Sequence, residues 1–160
     1  MKAEYGLEVI FETSPYQAAR WVSADARAAM DWLGAHGGQG AGVVVVADRG
    51  WGENLVAEWL PALTQLHSSV AVQGSEWLGS GRLQARVEAH DRVQRCAGSD
   101  VGCLEAAIAL LDVPTEFVLL AGPPDGGTSC CPLADSLRRA PGYRLVFEAG
   151  AVLTFAREPQ

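Results

Sequence analysis

Apolar positions in this chain fall into short runs of strand length and longer stripes of helical spacing, and the two kinds alternate. Leu7, Val9 and Phe11 alternate with Glu8 and Glu12, which predicts a half-exposed edge strand over Tyr5–Phe11 before Ser14-Pro15 breaks it. Ala26, Ala29, Met30 and Leu33 then recur at helical spacing. With Ser23 as N-cap and Asp25 in the first turn, they predict an amphipathic helix from Ser23 to Ala35, stopped by Gly37-Gly38-Gln39-Gly40. Four consecutive valines make Gly42–Asp48 a strand covered on both faces. Arg49–Gly52 reads as the loop after it. Glu53–Leu60 reads as a short helix that Pro61 ends or bends.

Ser68–Val72 is a further short strand and Gln73–Gly81 a loop. Arg82–Arg95 is helical with a weak apolar stripe, so it is expected to lie mostly exposed. Val101, Leu104, Ile108 and Leu111 define the next helix, closed by Val113-Pro114. Glu116–Ala121 is a second buried strand, and Pro123–Ser129 a loop rich in proline and glycine. Pro132 starts a short helix through Arg139. Tyr143–Glu148 and Val152–Arg157 are joined by Ala149-Gly150-Ala151, a connection short enough for a hairpin. This order predicts a single α/β domain over residues 1–160: a sandwich whose sheet is mostly parallel, flanked by helices, with a C-terminal antiparallel β-hairpin. Residues 1–20 would be an edge strand or a linker from a missing membrane region.

Composition narrows the class. The chain has 160 residues, of which 49% are hydrophobic and 19% charged, ordinary values for one globular core. Nineteen acidic residues against twelve basic ones give a net charge of −7. No basic stripe is present, which argues against nucleic acid as a partner. The same deficit argues against electrostatic docking on an anionic membrane surface. No segment reaches the roughly 20 apolar residues of a membrane span, and the N-terminus lacks the apolar region of a signal peptide. An extracytoplasmic role would therefore need an upstream region.

The cysteines carry the most informative chemistry. Cys96 and Cys103 flank a glycine-containing turn between two predicted helices, and Cys130 and Cys131 are adjacent. In an oxidising compartment four cysteines allow three connectivities. A vicinal bridge strains the peptide between its partners, so two bonds, if both form, are expected to cross from Cys130 and Cys131 to Cys96 and Cys103. Each would close a loop of roughly 27 to 35 residues, worth about 3 to 4 kcal/mol. In a reducing compartment the same residues would be buried thiols. The spacing lacks the paired C-x-x-C of zinc sites, and no metal or other cofactor is expected.

Two Glu-Trp pairs, Glu58-Trp59 and Glu76-Trp77, could form an acidic aromatic groove for a sugar ring, or could simply plug the core and cap locally. Asp48 and Trp51 lie at the C-terminal end of a buried strand, where α/β proteins commonly place ligand contacts. His36, His67 and His90 form no metal-binding or catalytic spacing and default to the surface. No serine sits in a G-x-S-x-G elbow, Gly122–Gly127 follows a strand but lacks a Walker lysine and a G-x-G-x-x-G, and Gly37–Gly40 precedes its strand, so no catalytic residue is assigned.

Four stretches together resemble the soluble C-terminal domain of GT-C superfamily membrane glycosyltransferases, relatives of protein mannosyltransferases and lipid A aminoarabinose transferases. They are Val22–Leu33 with the following valine strand, Glu58-Trp-Leu-Pro-Ala-Leu-Thr64, Gln73-Gly-Ser-Glu-Trp-Leu78, and the ending from Phe117 through Cys130-Cys131 to the hairpin that finishes at Phe155. The resemblance implies a non-catalytic extracytoplasmic domain that helps shape the donor or acceptor site. Its partners would be the membrane-embedded region and a lipid-linked sugar or glycan. The catalytic acid of that superfamily lies between early membrane spans, so the resemblance carries no catalytic residue onto this sequence. The alternative is a stand-alone α/β binding or interaction module using the loop edge near Asp48, Trp51 and Trp77, in the cytoplasm.

Overall fold

The computed structural model of the chain describes residues 22–111, 113–122 and 131–158. The strand expected over Tyr5–Phe11, the loop expected over Pro123–Ser129, and Cys130 lie outside those residues. The first described helix, α1 (Ala24–His36), begins where its sequence says it should: the Ser23 hydroxyl oxygen accepts the Ala26 N–H at 3.1 Å. Its stripe of Ala26, Ala29, Met30 and Leu33 is buried. Beside that stripe Trp32 stacks on His36, with ring centroids 4.3 Å apart, and meets Phe117 and Phe147 across the helix–sheet boundary.

Five strands form one sheet: β1 (Gly42–Val46), β2 (His67–Ser68), β3 (Phe117–Ala121), β4 (Tyr143–Ala149) and β5 (Val152–Arg157), in the order β2-β1-β3-β5-β4. All five residues of β1 are buried, as four consecutive valines require. β1 pairs in parallel with β2 and β3, and β5 pairs antiparallel with β3 and β4. The α/β class and the terminal hairpin follow the sequence. The sheet is mixed rather than dominated by parallel pairs, because β2 is cut to two residues and the hairpin contributes both antiparallel ladders. Gly150 turns the hairpin with φ +53°, a backbone angle that favours glycine, and a Cβ there would sit 2.1 Å from the Asp25 carboxylate, which would have to move.

The remaining helices are α2 (Leu55–Thr64), α3 (Ser80–Arg95), α4 (Val101–Ile108) and α5 (Pro132–Arg139). From β1 the chain crosses through α2 to β2, then returns through α3 and α4 to β3 on the other side. Right-handed crossovers in opposite directions put α2 on one face of the sheet and α3–α4 on the other. α1 packs beside α2, and α5 packs beside α4. One contiguous core joins these layers through Met30, Leu33, Leu60, Leu104, Leu120, Leu133 and Phe155.

Three expectations need correction. Pro61 does not end α2, which runs on to Thr64. The cost of the missing N–H is offset because Leu60 before it and Thr64 after it are both buried, with the Thr64 hydroxyl donating to the Leu60 carbonyl at 2.6 Å. Ser68–Val72 is not a five-residue strand: pairing stops after Ser68, although Val70 and Val72 remain buried. Helix α3 is not simply a solvated face, since His90, Val93 and Gln94 are buried along it.

Where β2 stops, a side chain takes over. The Gln94 amide accepts the Ala47 N–H and donates to the Val45 carbonyl, both at 2.8 Å. His67 and Ser69 bond the Ala41 and Val43 carbonyls on that same edge of β1. Gln94 therefore occupies the next rung of the ladder and satisfies backbone groups that would otherwise be buried unpaired.

The cysteines also depart from expectation. Cys96 bonds to Cys103, with Cα atoms 5.6 Å apart, instead of crossing to the later pair. The Cys96–Gly98 turn at the end of α3 folds back so that Cys96 meets the first turn of α4, a proximity that sequence separation alone does not reveal. Cys131 is likewise disulfide-bonded and half-buried just before α5. A second tie joins the hairpin to α4. Arg157 contacts both Glu105 carboxylate oxygens, the nearer at 2.6 Å, and the Tyr143 hydroxyl donates to the same carboxylate. Burial alone would raise the Glu105 carboxyl, but the hydrogen bonds from Arg157 and Tyr143 prevail and hold it below its ordinary value.

Candidate functional site

The order β2-β1-β3 creates a topological switch point between β1 and β3, where open α/β sheets place their ligand crevice. A cleft of about 110 Å³ lies there, walled by Ala47 and Arg49 after β1, by Glu53 and Asn54 before α2, by Ser23 before α1, and by Gly122 after β3. The N-termini of α1 and α2 both open towards it, and Arg49 adds a guanidinium. The capping oxygens are already engaged: Ser23 with Ala26, and Asn54 with the Ala57 N–H at 3.3 Å. The cleft is also smaller than the roughly 300–1,000 Å³ of ordinary small-molecule pockets.

Asp48, between the cleft-lining residues Ala47 and Arg49, is exposed, with φ 51°. That left-handed backbone is one that aspartate tolerates better than most residues, and it turns the chain out of β1 into the Trp51–Glu53 turn. Trp51 is half-buried within this turn. Beyond Asp48 a shallow recess of about 320 Å³ runs over Arg49, Asp91, Gln94 and Arg95. Asp48 thus borders the recess beside the switch-point cleft, whereas Trp51 lines neither.

The two Glu-Trp pairs behave differently from one another. Glu58 is structural: its carboxylate accepts the Val72 N–H at 3.0 Å and the Gln73 N–H at 3.2 Å. Burial pushes this carboxyl above its ordinary value, and those backbone bonds offset the rise only in part. Trp59 is half-buried on α2. In the second pair Glu76 is exposed and Trp77 is 90% exposed, so Trp77 does not plug the core. The pairs are nevertheless linked. Glu58 fixes the chain at Val72-Gln73, immediately before the Ser75–Leu78 turn, and buried Ser75 bonds back to the Val72 carbonyl at 3.0 Å. The first pair holds in place the turn on which the second presents its tryptophan.

His90, placed at the surface by default from the sequence, is fully buried. Its Nε2 lies 3.2 Å from the Asn54 amide nitrogen and its Nδ1 3.1 Å from Asp91. Because the Asn54 nitrogen can only donate, Nε2 accepts and Nδ1 carries the proton towards Asp91. This chain of contacts locks the start of α2 to α3 and leaves neither ring nitrogen free for chemistry on a substrate. Sequence reading missed both His90 and Gln94, yet a signal existed. His90, Val93, Gln94 and Ala97 share the helical spacing of a buried stripe, and counting only apolar residues broke that stripe in two.

Among the described residues no group of three metal-ligating side chains converges. No helix is long and apolar enough to cross a membrane, again among the described residues. Comparison with family models, with curated proteins and with solved structures found no significant match.

Proposed function

We propose that this chain is a non-catalytic extracytoplasmic domain of, or derived from, a polyprenyl-phosphate-sugar-dependent membrane glycosyltransferase, where it helps shape the donor or acceptor site. The observation that carries this reading is the joining of the two Glu-Trp segments, the sequence features on which the resemblance rests. Glu58 bonds the backbone just ahead of the turn bearing Trp77, so the two segments act as one device for holding out an aromatic side chain. An exposed tryptophan gives a flat apolar face suited to a sugar ring or to a protein neighbour. The Cys96–Cys103 bond supports the same reading, because such bonds persist mainly in oxidising compartments.

The switch-point cleft and the recess beside it favour a second reading, a stand-alone binding module using Asp48 and Arg49. The cleft's small volume and already engaged caps make this reading the weaker of the two. An antibody raised against this chain separates them when used on fractionated source cells. The transferase reading expects the epitope in the membrane fraction, on a polypeptide longer than 160 residues and sensitive to protease from the outer side. A free polypeptide of 16.9 kDa confined to the cytosol would overturn it.

A further inference from the structure

A groove of about 540 Å³ runs between α3 and the segment after α4, away from the switch point. Leu78, Leu110 and Leu111 give it an apolar floor, and Arg82 and Arg86 stand along it. Leu78 is 53% exposed and Leu110 62% exposed, and Trp77 immediately precedes Leu78. These are the large hydrophobic side chains most open to water among the described residues. They are not on a loose tip, since Glu58 and buried Ser75 fix the turn that carries Trp77 and Leu78. Solvent-facing leucines beside a tryptophan and paired arginines form the composition of a membrane–water boundary, with apolar groups below and cations at headgroup level.

We infer that this groove and Trp77 dock the domain on a phospholipid surface bearing anionic headgroups. The net charge of −7 belongs to the whole chain, whereas among the described residues the lining of the groove holds two arginines and no carboxylate. At physiological salt the field is screened within about 8 Å, so the face that makes contact decides the sign of the interaction. Arg86 reaches only a neutral partner, the Ser69 carbonyl at 3.5 Å, and neither Arg82 nor Arg86 is in an ion pair among the described residues. The nearby Glu88 carboxylate accepts from Gln84 at 3.0 Å. A second copy of the chain fits less well. An isologous contact would bring the arginines of both copies together with no acid among the groove's described lining residues to meet them. This inference rests on the groove and holds whether or not the chain derives from a transferase.

The test is flotation of the purified chain with phosphatidylcholine vesicles made with and without phosphatidylglycerol. Wild type is expected to float with the anionic vesicles, and raised salt should release it. Arg82→Gln with Arg86→Gln should weaken retention roughly thirtyfold, from the usual contribution of a basic side chain near an anionic surface. Trp77→Ala alone should also weaken it, with the far-ultraviolet circular dichroism of every variant unchanged. Failure of wild type to float overturns the inference, as does equal retention of the double arginine variant. A lipid-free dimer that buries Trp77 would overturn it in favour of self-association.

Discussion

Gly42→Ala is expected to destabilise the chain by about 3 kcal/mol or more, a large effect for adding one methyl group. A Cβ at this position would lie 1.8 Å from the Pro114 carbonyl oxygen and 3.0 Å from its carbonyl carbon. Both atoms are backbone, so no side-chain rotation relieves the overlap. The Glu116 N–H bonds the Gly42 carbonyl at 2.9 Å, and the parallel register of β1 and β3 begins one residue later with Val43 opposite Phe117. Making room therefore pulls the central strand away from its neighbour at the point where their pairing starts. The glycine is needed for space and not for an unusual backbone angle. Gly38→Ala is the control, because nothing lies within 4 Å of a Cβ there, and its effect should stay within about 0.5 kcal/mol. Urea unfolding of the two variants checks both values, and similar midpoints would refute the close approach.

Gln94→Leu is expected to cost about 2 to 6 kcal/mol, because it leaves the Ala47 N–H and the Val45 carbonyl buried without partners, at about 1 to 3 kcal/mol each. The volume change is slight, so lost packing contributes little. Against a typical total stability of about 5 to 15 kcal/mol, this alone could leave much of the population unfolded. Gln94→Glu separates hydrogen bonding from shape. An ionised carboxylate accepts from Ala47 but cannot donate to Val45, whereas a protonated one can do both. Burial favours the neutral acid in the fold, raising its folded pKa above the unfolded value of roughly 4.3. The variant should accordingly gain stability relative to wild type as pH falls towards that value, and lose it as pH rises through the folded pKa. A pH-independent difference between Gln94→Glu and wild type would show that the side chain does not complete the ladder.

These two residues mark where sequence reading stops. Local patterns located α1, β1, α5 and the hairpin to within a residue or two, because Ser23, the four valines, Pro132 and Gly150 each act on their own neighbourhood. The fate of Ser68–Val72 was not legible. Its pairing is replaced by Gln94, which lies far along the chain, and a glutamine in a weakly striped helix gives no sign of serving as a rung. Pro61 misled for a similar reason, since the burial of Leu60 and Thr64 on either side of it outweighs its local preference. At the candidate site Asp48 borders the recess after β1, whereas Trp51 lines neither that recess nor the cleft. The Glu-Trp pairs looked equivalent in sequence. Only the three-dimensional path of Val72-Gln73 gave one a structural carboxylate and the other an exposed tryptophan. Cysteine pairing was the least legible, because connectivity depends on where two helices turn.

The central claim is a domain stapled by disulfides and facing an oxidising compartment, and the cysteine pairing of protein taken from its own cells tests it most directly. Free thiols are alkylated before lysis, and the chain is then cut on the N-terminal side of its aspartates without reductant. This separates Cys96 on residues 91–99 from Cys103 on residues 100–111, and both from Cys130-Cys131 on residues 125–134. The account predicts that the first two peptides are recovered joined to each other and free of alkylation. Alkylated Cys96 and Cys103, or Cys96 joined to residues 125–134, would contradict it.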